Sequence, residues 1–190
     1  MSTQRFDDEE ISHMIAFFAD RLNLVFAHFF CKIEFEGDKD FSATPTLENF
    51  KNARILRLCV IRSACLHATL LALRDLDDVL TARKPKSKWL DDFKISDFGF
   101  PHTLKFLCKS ERDSINQVIA HSTIIGSDVS HRWDVFELAT KCVRQSVTFL
   151  EWLETHSRDP YTALYCRTGI QSTYDFVAKK LKEIQILRTI

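Results

Sequence analysis

Glycine and proline are scarce in this 190-residue chain, four of each. A sandwich or barrel, which turns roughly every eight to twelve residues, is disfavoured on that ground. Net charge is missing too. Lys+Arg and Asp+Glu balance at 26 each, so no global basic field gathers nucleic acid, and any anionic partner must be held locally. The six cysteines, at 31, 59, 65, 108, 142 and 166, contain no Cys-x-x-Cys pair and no regular framework; they read as reduced core residues. There is no Gly-rich phosphate loop, no Gly-x-Ser-x-Gly elbow and no zinc-ligand cluster, and no cofactor is expected. Met1 to Glu10 is polar and acidic where a signal peptide would be basic and then apolar, and no uncharged apolar run approaches the length of a membrane span. The expectation is a soluble cytoplasmic protein with no membrane segment.

What is present favours helices. Leu, Phe, Asp, Lys and Ala are abundant, and the length suits one domain, 1–190, with a full hydrophobic core. The patterning predicts an all-α, compact bundle of about five helices. A first helix is expected from Asp7 to about Lys32 and a second from about Leu47 to Leu80, with Thr46 or Asn49 available to cap it. The third runs from Pro101 to about His121, after an irregular Phe-rich loop over Asp91 to Phe100. A fourth spans Arg132 to His156, and Asp159-Pro160 opens a fifth that reaches about Leu187, with Gly169 a candidate interruption.

The second of these helices is apolar all round its axis, which marks it as central and buried. Yet Ser63, His67, Arg74 and Asp78 fall within about 60° of one another on its wheel. Buried ionisable groups need partners, so the stripe is either a structural ion-pair network or part of a site. Arg74 is expected to pair with a carboxylate inside the bundle.

His121 ends the third helix beside Ser122 and Thr123. An imidazole at an accessible helix end suits general acid or base chemistry, and it equally suits capping of the C-terminus, where a cation meets the dipole. Glu10 and His13 have the Glu-x-x-His spacing of di-iron bundles, but no second copy exists, and they read as surface residues rather than a metal site. Arg83, Lys84, Lys86 and Lys88 form a basic connection: a solvated loop on one reading, a phosphate-binding turn on the other. Trp133 either packs on the third helix or stacks on a base.

With Arg on one core helix and Ala120-His121-Ser122 at the end of another, residues 47 to 156 resemble the HEPN superfamily, in particular its abortive-infection and toxin branches. That family's motif is Arg, four to six residues, then His. Arg21 with His28 and Arg62 with His67 have the spacing, but neither pair opens a helix with a polar residue such as Asn after the Arg. At His121 the nearest upstream Arg is Arg112, about 180° away on the helix, and Asn116 stands where an Arg would be. The resemblance implies a metal-independent ribonuclease. In it His121 is the acid or base, Arg74 stabilises phosphate charge, and Asn116 positions the RNA. It also implies a homodimer and an antitoxin or defence-system partner. The competing expectation is a non-catalytic helical-bundle interaction protein whose polar stripe is a buried network.

Overall fold

The structure, a computed structural model, describes residues 8–42, 46, 48, 51–81, 94–120, 134–157 and 159–189. It is all-α: α1 Asp8–Val25, α2 Ala27–Glu34, α3 Ala53–Leu80, a short 3-10 helix Ile95–Phe98, α4 Lys109–Ala120, α5 Val135–His156 and α6 Pro160–Thr189. With α1 and α2 counted as one broken helix, the five expected helices are present.

The break at Phe26 has a cause outside its own segment. Thr69 of α3 inserts its hydroxyl into the turn, donating to the carbonyls of Leu24 and Val25 at 3.2 Å each and accepting from the His28 amide at 3.1 Å. In a continuous helix that amide would donate to Leu24, so the side chain replaces one rung of the ladder and bends the helix there. Thr69→Val keeps the shape but leaves His28 N–H and two carbonyls without this partner. It is expected to cost about 2 kcal/mol, read as a lower denaturation midpoint at unchanged m.

The pair α1 and α2 runs antiparallel to α3, because Arg21 faces Asp75 while His28, further along, meets Thr69. Helix α3 is capped by Asn52, whose side chain accepts from Arg54 and Ile55 amides. It therefore starts at Ala53 rather than near Leu47, with Asn52 in the capping position expected of Thr46 or Asn49; Asn49 itself lies outside the described residues. Helices α5 and α6 form a hairpin through a tight corner. Asp159 accepts from the Thr162 amide and from Ser12 Oγ of α1, and Pro160 takes the first helical position as its fixed φ allows. Gly169 causes no interruption of α6.

Helix α4 begins eight residues after Pro101, a correction with a clear reason. The Leu104 amide donates to the Leu80 carbonyl, and the Phe106 and Leu107 amides donate to Asp77. These donors hold the strap before α4 extended along α3. The helix then starts at a capping box in which Cys108 N donates to Glu111 Oε2 at 2.6 Å and Glu111 N donates to Cys108 Sγ. Ahead of the strap, Gly99 takes φ +84 after the 3-10 turn. That left-handed residue, cheap only for glycine, carries Phe98 and Phe100 edge-on to Phe149, at 5.4 and 5.5 Å between ring centroids. Phe18 of α1 meets the same ring at 5.6 Å. Leu70, Leu73, Leu76 and Leu80 of α3, with Leu107 and Ile115, complete the core.

Candidate functional site

On α3 the inward direction differs from the polar stripe. Ser63 is exposed and His67, Arg74 and Asp78 are half-buried, whereas the fully buried polar residues are Thr69 and Asp77. One Asp77 oxygen accepts from the amides of Phe106 at 3.3 Å and Leu107 at 3.1 Å, and the other from Arg112 Nη1 at 2.6 Å. The second guanidinium nitrogen of Arg112 donates to Asp78. Burial opposes the Arg112 charge, but its bonds to Asp78 and Asp77 outweigh that and hold its pKa above the ordinary value. The ionic network therefore exists, built by Arg112 rather than Arg74. Arg74 makes no ion pair among the described residues, and its Nε is buried without a hydrogen-bond partner, contrary to the expected pairing with a carboxylate.

Asn116 is half-buried on α4, one turn beyond Arg112, and Arg74 lies one turn before Asp78 on α3. Both thus flank the Arg112–Asp78 pair. His121, Arg83, Lys84, Lys86, Lys88 and Trp133 lie outside the described residues. Glu10 and His13 are exposed, and among the described residues no group of three or more His, Cys, Asp or Glu is placed to hold a metal.

A cavity of about 460 Å³ opens where the N-termini of α4 and α5 meet, walled by Cys108, Ser110, Glu111, Ser114, Asp134 and Glu137. Its polar groups are engaged in structure. Asp134 caps α5 by accepting from the Glu137 amide at 3.0 Å, and Lys141 bridges Glu137 at 2.9 Å and Glu111 at 3.4 Å. Burial works to raise the Glu111 pKa, but the Cys108 amide and Lys141 prevail and keep it below the usual carboxylate range. A carboxylate stabilised in this way is a poor proton donor near neutrality.

His28 was not singled out for chemistry by the sequence. It is buried beside the α1–α2 break with Nδ1 unpartnered. Burial, then the charges of Lys32 and Arg62, push its pKa down to about 4.

Large apolar side chains are exposed on the outer face of α3, as Tyr161, Leu164 and Tyr165 are on α6. Val60 is 59% exposed, Ile61 41%, Leu56 40% and Leu71 37%. Two spans, Glu9–Glu34 and Ala53–Leu80, are long and apolar enough by length and composition to cross a membrane, with 44% and 33% of their most apolar stretches buried. No family model, no curated protein and no solved structure matches this chain.

Proposed function

We propose that the protein is a helical interaction module that binds another protein chain through the outer face of α3. The observation that carries this reading is the set Leu56, Val60, Ile61 and Leu71, large apolar side chains held in solvent on one rigid helix. Several large apolar side chains exposed on one helix of a folded domain suit a binding surface. The charges around it have structural duties: Asp77, Asp78 and Arg112 join α3 to α4, and Arg54 ties the helix start to Asp38 and Asp40. Six cysteines without a disulfide support a reducing, cytoplasmic setting.

A photo-crosslinking side chain at Val60, with the exposed Ser172 of α6 as control, tests the reading in the protein's native cells. Discrete protein adducts at position 60 and none at 172 are expected. Equal labelling at both positions, or none at 60, would end it.

A second reading, the HEPN-like ribonuclease, draws support from Arg74, a half-buried guanidinium without a carboxylate partner among the described residues. Such a group is available to a phosphate. This reading retains His121 as acid or base, Asn116 as positioning residue, and Arg83, Lys84, Lys86, Lys88 and Trp133 as the RNA-binding set. It also retains an antitoxin or defence-system partner. Cleavage of a panel of single-stranded and structured RNAs, lost in Arg74→Ala at unchanged melting temperature, is its expected signature.

A further inference from the structure

Arg57 and Asp75 are eighteen residues apart on α3, five whole helical turns, so they lie on one line along the axis about 27 Å apart. Between them, on the same side, stand Ile61, Ala64, Ala68 and Leu71. Every member of this line is exposed or half-buried, because α1 and α2 cover the side of α3 that carries Thr69, and α4 covers the side that carries Asp77. The order along the line is a cation, a large apolar residue, a small one, a small one, a large apolar residue and an anion.

That order is symmetric. Residues 57 and 75, 61 and 71, and 64 and 68 are each equidistant from position 66. When such a helix meets a copy of itself running the other way, with the twofold axis level with Leu66, each residue finds its complement. Arg57 meets Asp75 of the second copy, Ile61 meets Leu71, and Ala64 meets Ala68, and each pairing occurs twice. A twofold interface has this property by construction, since residue i meets j and j meets i. A slip of one turn toward the helix start sets Arg57 against Leu71 or Ala72, both uncharged.

From this pattern we infer that α3 pairs antiparallel with α3 of a second copy of this chain, in the register centred on Leu66. The two alanines at the centre let the helix axes approach to about 8 Å, and Val60 broadens the apolar contact. Arg57 has no ion pair within its own chain among the described residues. Asp75 faces Arg21 at 3.9 Å and keeps about a third of its side chain in solvent, so it presents a carboxylate surface to the incoming Arg57. Charge complementarity in this register selects a second copy over an unrelated helix.

The inference rests on the reading of the α3 outer face as a protein-binding surface, and its test separates the two. Sedimentation equilibrium of the purified full chain is expected to give twice 22.1 kDa. Arg57→Asp and Asp75→Arg should each weaken the dimer about tenfold, and the double variant R57D/D75R should return to within about threefold of the wild type. Ile61→Lys, at an exposed position, supplies an independent disruption should Asp75→Arg fail to fold; circular-dichroism melting reports folding in each case. A wild-type chain that stays monomeric at high micromolar concentration overturns the inference, and so does a double variant no better than the singles. A monomer that still gives adducts of foreign mass at position 60 overturns self-pairing while leaving the binding surface standing. Flotation of a monomer with phosphatidylcholine–phosphatidylglycerol vesicles overturns both.

Discussion

Arg112→Met is expected to destabilise the fold by about 3–5 kcal/mol, the cost of leaving a buried ionised group without its counter-charge. Asp77 has no solvent contact. Without Arg112 its carboxylate keeps only the amides of Phe106 and Leu107, two dipoles facing a full charge in a medium that screens poorly. Against a typical domain stability of about 5–15 kcal/mol the loss is large. Asp77→Asn in the same background removes the stranded charge while keeping an oxygen for both amides, so the double variant should recover at least about half of the loss. Guanidinium denaturation with the m value monitored separates the two variants. A loss under about 1 kcal/mol for Arg112→Met would mean that apolar packing alone joins α3 to α4.

The second large effect is on acid stability. Because the folded pKa of His28 is about 4 and the unfolded imidazole titrates near 6.5, the unfolded chain binds a proton in this interval that the native chain refuses. Unfolding free energy from this group is therefore at its full value above pH 6.5, declines as pH falls and levels off below about 4. The limiting slope is about 1.4 kcal/mol per pH unit, and the total loss is about 3 kcal/mol. Burial is the principal cause, with Lys32 and Arg62 adding like charge. Wild type and His28→Gln, compared by chemical denaturation across pH 4 to 7, should differ in slope over this window. Parallel curves would show that the native protein accommodates a charged His28.

The helical class and most helix ends were legible because they depend on local chemistry. Asp159-Pro160 opens α6 by the same geometry that makes the dipeptide a start signal. Features set by distant residues were not legible. Phe26 carries no breaker, and the helix bends there because Thr69, 41 positions from His28, supplies a hydroxyl. Pro101 is compatible with a first helical turn, yet the amides that follow it are claimed by Leu80 and Asp77. The polar stripe shows the limit most clearly. A helical wheel gives relative angles, and on a helix apolar all round nothing local says which angle points inward. The set Ser63, His67, Arg74 and Asp78 shares a side of the wheel, but that side is exposed or half-buried rather than inward, and Asp77, one position away, is the buried carboxylate.

The three donors to Asp77 lie 29, 30 and 35 residues further along the chain, and this separation bears on how the molecule assembles. A partly folded chain in which α1 and α2 have docked on α3 without the later segment would hold an ionised group facing an empty seam, so that state is penalised and the halves order together. The same clamp lends stability to backbone outside any helix. The amides of Phe106 and Leu107, held by one oxygen of Asp77 while Arg112 holds the other, are expected to exchange with solvent more slowly than free loop amides. Hydrogen exchange is therefore expected to group this irregular strap with the buried leucines of α3 rather than with the surface loops.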